Sequence, residues 1–182
     1  MNQTADLTEK TLSREEKYQG SFLSLHVDQV LLPNGRTSTR EVVEHVDGVA
    51  VLALDDRNNV LTVTQYRYVI GKTLLEIPAG KLEPGEDPVA GALRELKEET
   101  GAVPDTFLPM GVTLPSPGCL SERLYLFLAK GLHMESQQLD EDEFLNVERI
   151  PFNEMVHRVM DGEIEDSKTI AAVLKAKVLL NL

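Results

Sequence analysis

The sequence predicts an α/β fold: a mixed central sheet covered by helices on both faces, with a β-hairpin ahead of it at the amino-terminal end. Three observations predict it. Apolar runs of strand length recur along the chain between turn residues, a stretch of helix formers interrupts them near the middle, and two further helical stretches follow the last strand.

The elements follow in order. Residues 1–17 are polar and charged and read as a frayed or short helical lead-in, with no apolar core of a signal peptide. Residues 22–32 and 36–46 flank Pro33, Asn34 and Gly35, a turn signal, and together read as a hairpin. In its first strand Leu23, Leu25, Val27 and Leu31 share one face, with polar residues mostly opposite. Residues 49–55 and 60–68 read as strands joined by the polar turn at Asp56, Arg57, Asn58 and Asn59, and residues 74–78 as a short strand. After a helix over 88–100, strands are predicted near 107–114, 123–130 and 146–150. Helices near 153–160, stopped by Asp161 and Gly162, and near 167–180 complete the pattern. The expected division is 1–47, lead-in and hairpin, and 48–182, the main domain.

The helix over 88–100 carries the chemistry. Asp87 is a good N-cap, and Pro88 suits the first helical position, where a missing N–H costs nothing. Gly101 is able to take the left-handed stop at the far end. Val89, Ala92, Leu93 and Leu96 fall on one side at spacings of three and four and are expected to pack on the sheet. Glu95, Glu98 and Glu99 fall on an adjacent side. Like charges stacked this way destabilise a helix by about 0.2–0.5 kcal/mol per pair. A solvated acidic face offset by Arg94 and Lys97 would explain them in an ordinary glutamate-rich helix. It does not explain the loop before the helix, where Gly80, Pro84 and Gly85 deliver a fourth acid, Glu86, near the helix start. Hard divalent cations take oxygen ligands, and several carboxylates plus substrate phosphates are the usual way to hold Mg²⁺. A Mg²⁺ cluster is therefore the better reading.

Composition narrows the function further. The chain has 182 residues, of which 42% are apolar and 26% charged, as in ordinary globular domains. A net charge of −12 and the lack of a lysine- or arginine-rich stripe argue against bulk nucleic acid or an anionic membrane as partner. No apolar run reaches the length of a membrane span. Cys119 is the sole cysteine, so no intrachain disulfide forms and the cytoplasm is the expected compartment.

Gly80, Glu86, Arg94, Glu95, Leu96, Glu98, Glu99 and Gly101 fit the pattern G-x5-E-x7-R-E-U-x-E-E-x-G-U, with Ala102 smaller than the usual aliphatic residue at the last position. This resembles the Nudix box, and chance agreement in such a chain is on the order of 10⁻⁷. Three further segments resemble the ADP-ribose pyrophosphatase and nucleoside diphosphate sugar hydrolase branch. They are Leu114-Pro115-Ser116-Pro117-Gly118 with Glu122, the acidic loop from Leu139 through Asp140, Glu141, Asp142 and Glu143 to Phe144, and the lead-in Gln65-Tyr66-Arg67-Tyr68 then Leu75-Glu76-Ile77-Pro78-Ala79-Gly80.

The resemblance implies an α/β/α sandwich and metal ligation by Glu95, Glu99 and the backbone carbonyl of Ala79, with Glu98 beside them. It implies a further ligand or the general base from the acidic loop, Glu141 or Glu143, with a box glutamate as the other source of the base. Arg67 resembles the arginine that contacts the substrate's phosphates, and Glu76 lies in the same substrate-binding stretch. Arg94 is expected to orient the box carboxylates, with Gly80, Glu86 and Gly101 structural. The branch exchanges its hairpin between the subunits of a homodimer, and Tyr18 and Phe22, with Arg40, are the candidates to reach adenine. The implied reaction is Mg²⁺-dependent hydrolysis of ADP-ribose to AMP and ribose 5-phosphate, with Mn²⁺ as the other metal. GDP-mannose or a broad range of nucleotide sugars is the alternative substrate. A house-cleaning triphosphate hydrolase and a non-catalytic ADP-ribose sensor are the remaining readings.

Overall fold

A computed structural model describes residues 5–139, 141 and 143–181. The chain divides into two compact units. One runs up to Val46 and includes Ser116–Glu122; the other comprises Asp47–Pro115 and Arg123–Leu182.

The amino-terminal unit is a three-stranded antiparallel sheet, β1 (Lys10–Gln19), β2 (Leu23–Leu31) and β3 (Thr37–His45), in that spatial order. The expected lead-in over 1–17 is corrected by β1. That segment lacks an apolar pattern, and its residues are exposed throughout, so pairing to the edge of β2 makes it a strand where its own side chains do not. The face of β2 that is most buried is also the opposite of the apolar one. Ser24, His26, Asp28 and Val30 are buried, whereas Leu23, Leu25, Val27 and Leu31 are only half-buried. The polar set is stabilised by pairing: Arg14 donates to Asp28 and Glu44, and Asp28 Oδ1 lies 2.9 Å from His26 Nδ1. Ser116–Glu122, placed by sequence in the main domain, belongs to this unit. Val43 N donates to Cys119 O and Ser121 N to Val43 O.

The larger unit is built on a sheet of β4 (Gly48–Leu54), β5 (Asn59–Arg67), β8 (Ala102–Thr113), β9 (Leu124–Met134) and β10 (Leu145–Pro151), ordered β10-β5-β4-β9-β8. Two short strands join it: β6 (Lys72–Glu76) pairs with β5, and β7 (Ala79–Lys81) with β4. Only β4 and β9 are parallel among these pairs, so the sheet is mixed as predicted. The short β7 and the 3₁₀ turn Tyr68–Ile70 carried no sequence signal.

β4 is buried on both faces, and its alternate residues define two cores. Ala50, Leu52 and Leu54 pack with Met155 and Val159 of α2 (Phe152–Met160) and Ala172, Val173 and Ala176 of α3 (Ser167–Leu180). Val49, Val51 and Ala53 pack with Ala92 and Leu96 of α1 (Pro88–Thr100). Full burial of a residue such as Leu96 contributes about 1.5–3 kcal/mol. The sequence expectation for α1 fails at Val89, in the first turn of the helix, which is 44% exposed. Its caps match expectation: Asp87 Oδ1 accepts from Val89 N and Ala90 N, and Gly101 is left-handed with φ of 72°. Among the described residues no helix is long and apolar enough to cross a membrane.

Candidate active site

The site is assembled where β7 runs under α1. β7 pairs with β4 through Val49↔Gly80 and Ala50↔Ala79, which fixes Ala79 and Gly80 at the sheet. The helix comes so close that a Cβ on Gly80 would lie 2.0 Å from the Glu95 carboxyl carbon. Only glycine leaves room for that side chain. Glu99, one turn further along, is 1% exposed, and its Oε2 accepts a hydrogen bond from Ala79 N at 2.9 Å.

Arg94 organises the remaining acids. Its Nε and Nη2 donate to the two oxygens of Glu86 at 2.9 Å each, and Nη1 donates to Glu95 at 2.8 Å and Glu98 at 2.9 Å. Nη2 also reaches Lys81 O, tying α1 to β7. Glu86 is held well below the usual carboxylate range, at about 2, by Arg94 and by the N–H of Glu83. Gly91 gives Glu86 its space, since a Cβ there would meet Glu86 Oε2 at 2.9 Å.

The two innermost acids shift the other way. Burial pushes Glu99 up to about 8, and the like charges of Glu143 and Glu95 add to it, against the Ala79 N–H and the positive charge of Lys168. Glu95 is also raised, chiefly by burial, with Glu98 and Glu143 adding to it and Arg94 opposing. The charge of Glu143 thus acts on both box acids. Glu141 is exposed. Asp140 and Asp142 of the acidic loop lie outside the described residues. Three bonds at the end of α1 fix the course of the chain leading into this loop. Glu135 N donates to Gly101 O, Gln138 N to Glu98 O, and Gln137 Nε2 to Glu99 O. No pattern in the sequence marks Gln137.

Beside the box lies a second charged cluster. Arg67, the last residue of β5, donates Nε and Nη2 to the two oxygens of Glu76 at 2.7 Å each. Glu76 is 1% exposed and also accepts from Lys168, which sequence reasoning missed because a lone lysine at a helix start carries no motif. Burial opposes ionisation of Glu76, and Arg67 with Lys168 outweighs it, holding the carboxyl below its ordinary value.

Tyr18, Phe22 and Arg40 belong to the amino-terminal unit. Tyr18 is 58% exposed, and Phe22 meets His45 edge-on at 5.4 Å. Arg40 is engaged by Glu9 and by Thr39 O.

The donor set of the box is all oxygen, it concentrates negative charge in a buried place, and it suits a hard divalent cation. Among the described residues, however, no three such side chains already converge as a metal-ready group. Arg94 draws Glu95 and Glu98 to itself, so a cation must win them from the guanidinium.

Among known proteins, the model of the NUDIX domain matches residues 44–173, and that of the nucleoside diphosphate sugar hydrolase N-terminal domain matches residues 9–43. A methanol dehydrogenase activator of Bacillus methanolicus is 44% identical over 91% of this chain and 90% of its own. An ADP-ribose pyrophosphatase of Bacillus subtilis is 41% identical over 92% and 91%. A solved structure described as an ADP compounds hydrolase superposes with a TM-score of 0.84 over 98% of this chain and 97% of its own. At 22% identity it speaks for the fold.

Proposed function

The chain belongs to the Nudix hydrolase family, and from that premise we propose that it hydrolyses the diphosphate of ADP-ribose to AMP and ribose 5-phosphate with the help of Mg²⁺. The observation that carries the reading is the complete set of box acids around Arg94, with Glu99 buried against Ala79, in a chain whose amino-terminal residues 9–43 match the nucleoside diphosphate sugar hydrolase module. A non-catalytic sensor has no use for buried, mutually repelling carboxylates that cost stability.

Glu95, Glu98 and Glu99, with the carbonyl of Ala79, would hold the metal. Divalent cations bound there offset the charge of the diphosphate and of the departing phosphate. Glu143 is assigned as the base: it takes a proton from the water whose oxygen attacks one phosphorus, while the bridging P–O bond breaks and its electron pair leaves with the other phosphate. Its partial burial and its action on Glu95 and Glu99 support this over Glu141. Arg67 presents a guanidinium edge to the phosphates, with its other edge held by Glu76. Positioning and charge stabilisation supply most of the rate, since phosphoryl transfer asks little covalent work of the protein.

A homodimer is part of the same proposal. It is supported by the half-exposed apolar face of β2, at Leu23, Leu25, Val27 and Leu31, and by exposed Tyr18 and Phe22, which with Arg40 are the candidates for an adenine contact.

The test is a panel of nucleotide sugars and nucleoside triphosphates, with Mg²⁺ or Mn²⁺ and with chelator, and products identified by mass. AMP and ribose 5-phosphate from ADP-ribose is the expected result. Turnover of triphosphates alone, with release of pyrophosphate, would overturn the assignment. The 44% identical relative favours a second reading, modulation of a methanol dehydrogenase. Adding the chain to such an enzyme tests it directly.

A further inference from the structure

Two cations from different elements converge on one buried carboxylate. Glu76 Oε1 accepts from Arg67 Nε, and its Oε2 accepts from both Arg67 Nη2 and Lys168 Nζ. Lys168 Nζ also donates to Asp166 Oδ1 at 2.9 Å, and Asp166 is itself the N-cap of α3, accepting from Thr169 N at 3.0 Å. Thr169 Oγ1 in turn accepts from Ile77 N at 2.9 Å, next to Glu76 in the chain. The start of α3 is therefore bonded to the segment that carries Glu76.

Lys168 is the second residue of α3, where the helix dipole disfavours a positive charge. Its side chain is only 11% exposed, so its charge is also largely removed from water. Neither the helix nor solvent explains a lysine here. Its contacts with Glu76 and Asp166 do.

We propose that Lys168 is a positioning residue for the hydrolysis: it pins the Glu76 carboxylate to α3, so that the guanidinium of Arg67 is held in the orientation it presents to the diphosphate. This rests on the assignment of Arg67 as a phosphate contact. Arg67 ends β5 and is 39% exposed, followed by the exposed residues Tyr68, Val69 and Ile70, so its own strand does little to hold its side chain. What fixes the fork is the carboxylate it grips. A carboxylate held by Arg67 alone is free to move with the arginine as a pair. One also bonded to Lys168 is anchored from a second element, and the arginine must come to it.

The experiment is a double-mutant cycle on the full chain, with ADP-ribose as substrate and Mg²⁺ saturating. Lys168→Met should raise KM about 5- to 20-fold and leave kcat within about twofold, the pattern of a lost binding contact. Arg67→Ala should raise KM at least as much. In the Arg67→Ala background, Lys168→Met should add less than about twofold, because its effect passes through the arginine. A full multiplicative effect in that background, or a loss confined to kcat, overturns the inference and shifts the action of Lys168 to Glu99. A silent Arg67→Ala instead removes the phosphate-contact assignment and the inference with it. If Lys168→Met does not fold, as read by thermal melting, Lys168→Gln, which keeps a donor for Asp166, goes through the same cycle with the same criteria.

Discussion

The backbone N–H of Ala79 donates to Glu99 Oε2 at 2.9 Å, across 20 positions of sequence and from strand to helix. Two groups assigned to the metal are thus fixed against each other by the protein alone. The bond favours the ionised form of Glu99, but burial outweighs it and holds the proton on, so a cation is needed to settle the charge.

Replacing Glu99 by Gln should lower kcat/KM by about 10²-fold or more while leaving the fold intact. The amide keeps the size of the side chain and an oxygen for Ala79 N–H, and it removes a buried charge. Above pH 8 the metal-free variant should melt no lower than wild type. Near-wild-type turnover with Mg²⁺, or a collapsed melting transition, would count against this role.

Gly80→Ala should be nearly as damaging by a different route. A Cβ there would come within 2.2 Å of both Glu95 carboxylate oxygens, so Glu95 must swing away. A displacement of about 1 Å at a catalytic group costs on the order of 10²-fold. Activity should fall by that order, and the rise in melting temperature with added Mg²⁺ should shrink. An active G80A enzyme with an unchanged Mg²⁺ response would show that Glu95 is not needed where the structure puts it.

Much of this was legible in the sequence, for identifiable reasons. The caps of α1 and the spacing of Glu95, Glu98 and Glu99 follow from local chemistry, and the structure reproduces them at Asp87 and Gly101. Gly80 was legible as part of a motif; its physical reason, the approach of Glu95, is a three-dimensional fact. What local chemistry does not encode was missed. β1 is a strand because β2 offers it an edge, and its own residues are exposed throughout. The buried His26 and Asp28 reverse the apolar reading of β2 because Arg14, from another strand, neutralises Asp28, which in turn pairs with His26. Lys168 reaches Glu76 across 92 positions, a pairing that no spacing rule announces.

The loop acids can be separated. Glu143→Gln should lower kcat by about 10²–10⁴-fold, the range for loss of a general base. Glu141→Gln should change it less than about threefold, since Glu141 is exposed, whereas Glu143 is half-buried and its charge raises both Glu95 and Glu99. Single-turnover rates of the two variants decide it, and the reverse ranking would reassign the base.

The pH dependence follows from the sign of the Glu99 shift. Its folded value, about 8, lies above the ordinary 4.5, so the folded metal-free protein keeps a proton that the unfolded chain has released. The contribution of Glu99 to stability is therefore present in full below pH 4.5 and is lost as pH rises to about 8, by at most about 1.4 kcal/mol per pH unit. Metal binding needs the ionised carboxylate, so it must expel that proton. Calorimetric titration with Mg²⁺ in buffers of different ionisation enthalpy should detect about one proton released per site at pH 6–7 and little above pH 9. Apparent affinity should climb by up to about tenfold per unit up to pH 8 and then level off. In Glu99→Gln the proton release should vanish. Release that persists in that variant would assign the titrating group to Glu95, whose value is also raised by burial.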